Sequence, residues 1–132
     1  MFYIELMKNT WSSLYDPKTQ VIDVIDKFFH QDYQQCINGC KMNRDEYIHH
    51  VLEQKKNMMI HTIDYTHVLE KENELFAIYY PKGTNIQNMP IEAEVIAYFR
   101  FENQKIINIH GLVRLIKGDL ADVDMTSEIS RS

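Results

Sequence analysis

This sequence predicts an α+β fold, a cone-shaped curved antiparallel sheet with N-terminal helices packed on its concave face, and three observations carry that prediction. Apolar residues recur at helical spacing through the first half of the chain. From Met58 onward the period changes to two, as in half-buried strands. The four strands that result are long, about 8–13 residues against a usual ~5–6, and long antiparallel strands curl. Helices first and a meander afterwards is an α+β order.

The first helix is expected over residues 2–15, where Ile4, Met7, Trp11 and Leu14 fall on one face. Asp16 and Pro17 then suit an N-cap and a first helical position, and open a second helix that runs to about Phe29. Val21, Ile22, Val24, Ile25, Phe28 and Phe29 form its apolar stripe. His30 stands at its C-terminal end, where the helix dipole favours a ring N–H or a cation. Residues His30–Ile37 read as a short strand, closed by the turn Asn38-Gly39. A third helix starts at Asn43, with Glu46 three residues on completing a capping box. Lys55 and Lys56 suit its C-terminal turn. The strands are Met58–Glu70, Glu74–Pro81, Ile91–Glu102 and Lys105–Lys117. Glu72-Asn73 and Asn103-Gln104 are hairpin turns, and Lys82–Pro90 is a longer loop. Residues 1–118 form a single domain; 119–132 are a polar C-terminal tail.

The chain has 132 residues and a formal charge of −5, with 45% hydrophobic and 25% charged residues, the balance of a globular domain with its own core. The acidic balance excludes a general nucleic-acid binder and adhesion to anionic membrane by charge. No apolar run reaches the ~20 residues of a membrane helix, and the N-terminus lacks the pattern of a signal peptide. A cytoplasmic location follows as an expectation. Cys36 and Cys40 either meet across the Asn38-Gly39 turn or stay reduced, as thiols do in that compartment. No metal-ligand spacing, phosphate-binding glycine loop or nucleophile elbow is present, so no cofactor is called for.

Two segments carry a family resemblance. FFHQDYQQCINGCKMNRDEYIHHV has the F-H-x-D-Y pattern, and VIAYFRFENQKIINIHGLVRLIKGD has the late turn Arg100-Phe101-Glu102-Asn103-Gln104-Lys105-Ile106. With the order of elements, these resemble SnoaL-like polyketide cyclase relatives within the nuclear transport factor 2-like superfamily, over roughly Pro17 to Asp119. The resemblance implies a cone with a ligand cavity. It does not bring the cyclase acid–base groups with it. The last-strand positions that match the His-Trp-acid pattern are Ile109, His110 and Gly111, without the acid. The earlier strand reads FAIYY over Phe76–Tyr80, without a His. The position of the ketosteroid-isomerase-type Asp is nearest Ile37.

The functional expectation is therefore a small apolar or aromatic molecule bound in the cone, without an established reaction. Trp11, Tyr33, Tyr47, Tyr79 and Phe99 are the candidate liners; packing in the core is their plainer role. Such a site calls for a cavity of at least ~300 Å³. The rival is a lyase, isomerase or cyclase acting on a carbonyl compound with a His base. His61 and His67 are its candidates, placed by strict alternation on one face with Met59, Tyr65, Ile63 and Leu69. Of His49 and His50, about 100° apart on a helix, one is expected to face solvent.

A third reading is a structural dimerisation module. Val95, Ala97, Phe99 and Phe101 with Ile107, Ile109, Val113 and Leu115 are expected to face the helices. The opposite face offers Tyr98, Arg100, His110, Leu112 and Arg114, a mixture that suits a homodimer interface through the outer sheet face or a solvated surface.

Overall fold

A computed structural model describes residues 1–119. The elements are α1 (Phe2–Leu14), α2 (Val21–Phe28), β1 (Phe29–Ile37), β2 (Cys40–Asn43), α3 (Arg44–Asn57), β3 (Met58–Lys71), β4 (Glu74–Asn85), β5 (Pro90–Glu102) and β6 (Lys105–Lys117). They form one curved sheet in the order β2-β1-β6-β5-β4-β3. The expected meander β3–β6 is present. The sheet is mixed rather than purely antiparallel, because β1 lies parallel to β6. The short strand β2, absent from the sequence prediction, pairs with β1 across the Asn38-Gly39 turn. Residues 120–132, nearly all of the expected tail, lie outside the described residues.

The helices are fixed in two ways. α3 carries the expected capping box: the Asn43 side chain accepts from Glu46 N, and the Glu46 carboxylate accepts from Asn43 N, each at 2.9 Å. α1 has no side-chain cap of its own. Instead the Glu70 carboxylate of β3 accepts from the Ile4 N–H at 3.0 Å, so a helix end left open by local sequence is closed from across the fold. The Tyr3 ring stacks on Phe101 beside it, at 4.1 Å between centroids.

The second helix begins later than predicted. Asp16 caps a turn rather than a helix, accepting from Lys18 N at 2.9 Å, and α2 starts at Val21 after an extended Gln20. The Lys55 ammonium of α3 ties this turn down by donating to the carbonyls of Asp16 (3.0 Å) and Thr19 (3.4 Å). Nor does His30 cap α2: it already belongs to β1, and its Nδ1 accepts from the Asp32 N–H at 3.0 Å. β4 runs on to Asn85, which shortens the predicted loop before β5.

Bulges account for the remaining corrections. β3 is irregular between Ile60 and Thr62 and again between Tyr65 and His67. Each extra residue reverses the alternation beyond it. Ile63, Tyr65 and Val68 therefore pack on the core, while His61, His67 and Leu69 are exposed. On β6 the register shifts so that Phe101 faces Ile106 and Arg100 faces Asn108. Ile106 is buried in place of the expected Ile107, and Ile109 and Val113 keep their inward positions. The inward set on β5, Val95, Ala97, Phe99 and Phe101, is buried throughout.

Candidate functional site

The concave face of the sheet is not filled evenly. Ala77, Ala97 and Gly111 stand side by side on β4, β5 and β6. Small side chains there leave room above the sheet, and a hollow of about 120 Å³ occupies part of it. Its walls are Trp11 and Tyr15 at the end of α1, Gln35 and Ile37 of β1, Cys40 and Met42 of β2, and Tyr47, His50 and Gln54 of α3. Met58, Ile60 and Ile63 of β3, Tyr79 and Pro81 of β4, Ile91, Ala93, Val95 and Ala97 of β5, and Ile109 and Val113 of β6 complete it. The hollow is smaller than the ~300 Å³ expected of a small-molecule site. It is close to the ~150 Å³ of an engineered apolar void that takes up benzene.

Of the five predicted liners, three reach the hollow: Trp11, Tyr47 and Tyr79. Tyr33 and Phe99 do not. Both are fully buried in the core, and the Tyr33 hydroxyl is occupied by Gln35, to which it donates at 2.7 Å. Tyr33 acts one step away, because that bond fixes the side chain of Gln35, which does line the space. Burial holds the phenols of Tyr33, Tyr47 and Tyr79 well above their ordinary pKa and pushes Tyr15 up to about 12. The cause is desolvation of the phenolate first, then neighbouring tyrosines. All four are neutral hydroxyls at any working pH.

Trp11 is the most informative wall residue. It is 5% exposed, and its indole N–H is buried without a hydrogen-bond acceptor. The Tyr79 ring is its neighbour at 6.5 Å. The indole N–H opposes the rise of the Tyr79 pKa a little, yet it falls short of hydrogen-bond geometry. Leaving a buried donor unmatched costs ~1–3 kcal/mol, so this wall is held at some expense to the empty fold.

The polar residues that sequence reasoning missed are on α3. Tyr47, His50, Val51 and Gln54 follow the i, i+3, i+4, i+7 spacing of one helical face, and that face lies over the hollow. The polarity of His50 and Gln54 hid these two from a search for apolar stripes. The Tyr47 and His50 rings lie 6.4 Å apart, nearly parallel, while His49 is exposed as expected of one of the pair. The candidate bases are elsewhere: His61 lies 3.0 Å from the Thr84 hydroxyl and His67 3.2 Å from that of Thr66, both exposed, and neither borders the hollow. The two thiols are also apart. Cys40 is paired with Ile37 and Cys36 with Lys41, so Cys40 shares the cavity face with Ile37 and Cys36 points to the other. No disulfide joins them, and they do not meet across the turn.

The outer face carries the predicted residues together. Phe76, Tyr98 and His110 form one cross-strand row, and Ile78, Ile96 and Leu112 the next. Leu69, Phe76 and Leu112 are 72%, 42% and 61% exposed. Polar groups surround them: Glu94 accepts from Tyr80 (2.8 Å) and Arg114 (3.1 Å), and Tyr98 donates to Glu74 (2.6 Å). Among the described residues no helix is long and apolar enough to cross a membrane, and no cluster of three or more His, Cys, Asp or Glu is placed to hold a metal.

No protein-family model matches the sequence, and no curated protein does. Solved structures do. A candidate isomerase from Rhodopseudomonas palustris superposes with a TM-score of 0.69 at 13% identity, over 96% of this chain and 97% of that one. A hypothetical protein of ketosteroid isomerase-like fold from Catenulispora acidiphila, solved with trimethylamine, gives 0.68 at 12% identity over 92% and 93%. A candidate SnoaL-like polyketide cyclase from Mesorhizobium loti gives 0.60 at 10% identity over 84% and 98%. The shared feature is the fold, the nuclear transport factor 2-like cone, and it is the fold expected from the sequence. A fold hosts many chemistries, so the reaction has to be argued from the site.

Proposed function

Taking the nuclear transport factor 2-like fold as the premise, we propose that this protein binds a small apolar or aromatic molecule inside the cone. The observation that supports this is the hollow of about 120 Å³, walled mainly by aliphatic and aromatic side chains drawn from α1, α3 and every strand. Its size limits the occupant to about one ring with a short substituent. Native mass spectrometry of freshly purified protein, followed by denaturing extraction, tests it. Retained mass that is released as a small apolar compound supports the reading. An empty protein that also takes up no single-ring compound when soaked with one refutes it.

The same protein is proposed to be a homodimer through its outer sheet face. The exposed Leu69, Phe76 and Leu112 form an apolar centre. Arg100 and Arg114 with Glu74 and Glu94 put both signs of charge on the face, as a self-complementary twofold contact requires. Light scattering should give twice the chain mass, and Phe76→Glu with Leu112→Glu should halve it. A monomeric parent protein would end this proposal.

Proton transfer on a bound carbonyl compound is the second reading, and one observation favours it. His50, in place of His61 or His67, brings an imidazole to the hollow. Loss of the acetophenone methyl signal in heavy water, accelerated by the protein and lost in His50→Gln, is the expected result. Exchange at the uncatalysed rate would leave binding alone.

A further inference from the structure

The hollow contains donors but no formal charge. Among the described residues that line it there is no Lys, Arg, Asp or Glu. The phenols of Tyr47 and Tyr79 are held neutral by burial. An ion placed there would lose its hydration without gaining a counter-charge, and burial of an unpaired charge is strongly unfavourable. Facing this uncharged wall is the buried indole N–H of Trp11, a donor without an acceptor in hydrogen-bond geometry. The Tyr79 hydroxyl beside it meets that need only weakly, so a better-placed acceptor entering the hollow would take this donor.

On the reading that the cone binds a small molecule, we infer that its ligand is an uncharged compound of about one ring that carries a hydrogen-bond acceptor, and that this acceptor takes the Trp11 N–H. The apolar part of such a ligand lies over Ala97 and Val95, and its acceptor points toward α1. Carboxylates of the same size are excluded by desolvation, and plain hydrocarbons enter but leave the indole unmatched. The discrimination is built from one hydrogen bond and the absence of charge. It requires no movement of the cone.

Trp11 is the single tryptophan of the chain, so its indole N–H gives one resolved signal in a proton–nitrogen correlation spectrum. Three probes of similar size are titrated into the uniformly labelled, unmodified protein at pH 8: acetophenone, toluene and benzoate. At that pH benzoate is a carboxylate, while acetophenone and toluene are uncharged. Acetophenone is expected to move the indole proton downfield. Toluene is expected to bind about five- to tenfold more weakly, the worth of one net hydrogen bond of ~1 kcal/mol, without the downfield shift. Benzoate is expected to bind at least about a hundredfold more weakly than acetophenone, since it gains no counter-charge for its lost hydration.

Benzoate binding as tightly as acetophenone would overturn the inference while leaving a binding cone in place. Equal affinity for toluene and acetophenone, with the same indole shift, would overturn the role of Trp11. No response of any cavity residue to any of the three would overturn the binding reading itself. None of these outcomes depends on a variant that has to fold.

Discussion

Replacing Ala97 with isoleucine separates a cone that holds open space from one filled by its own side chains. Ala97 is buried on the concave face of β5, lines the hollow, and is flanked by Ala77 and Gly111, so a larger side chain has lateral room. Isoleucine adds three carbons. At ~0.8 kcal/mol for each buried methylene, they contribute about 2.4 kcal/mol if they enter existing space. Ordering the side chain costs about 0.5–1 kcal/mol of this. The expected net is a stabilisation of about 1.5–2 kcal/mol. With a urea slope of ~1–3 kcal/mol/M, the unfolding midpoint should rise by about 0.5–2 M. The same substitution should abolish the acetophenone-induced shift of the Trp11 indole signal, because probe and side chain compete for one volume. A midpoint that falls, by the ~1–3 kcal/mol typical of overpacking, would mean that the side chains close the space in solution. The argument from the hollow would then fail, and the structural reading would replace it.

Three further predictions test how the walls are held. Asn43→Ala removes half of the capping box that sets the start of α3 and should cost about 1 kcal/mol in urea unfolding, as N-cap losses do. A change under ~0.3 kcal/mol, below the range of cap losses, would show that packing alone fixes that helix. Gly83→Ala would drive a methyl carbon into the Met59 carbonyl oxygen, a backbone atom at the first β3 bulge. It should destabilise by more than ~2 kcal/mol and shift the amide signals of Met58–Thr62; wild-type unfolding behaviour would refute the close approach. Glu94 is held below its ordinary pKa, first by the Tyr80 hydroxyl and then by Arg114. A lowered carboxylate pKa contributes stability above the unfolded value and loses it as pH falls through the folded one. In Tyr80→Phe the Glu94 carboxyl should titrate at higher pH in carbon-detected spectra. An unchanged titration would exclude that hydrogen bond in solution.

Much of this was legible locally. The period change at Met58, the capping box at Asn43 and the Asn103-Gln104 turn, both of whose residues adopt positive φ, are short-range signals written in adjacent residues. Trp11, Tyr47 and Tyr79 were recognisable as liners because each falls on an apolar face. His50 and Gln54 were readable in principle from their spacing to Tyr47, but a stripe sought by hydrophobicity passes over them. His61 and His67 were misplaced for a different reason: alternation holds only while every residue pairs, and a bulge is a property of two strands together.

The sequence by itself determined the order of elements, the long strands and the apolar faces that must meet, because propensity, capping and periodicity act over a few residues. Tertiary structure alone decided the parallel pairing of β1 with β6, the closure of the α1 end by Glu70, and the bulges that turn two histidines outward. It also decided that the Trp11 N–H is buried with no acceptor in hydrogen-bond geometry. These depend on which distant residues come to share a surface, and the energy that selects them, burial of apolar area against matched polar groups, exists only once the chain has closed on itself.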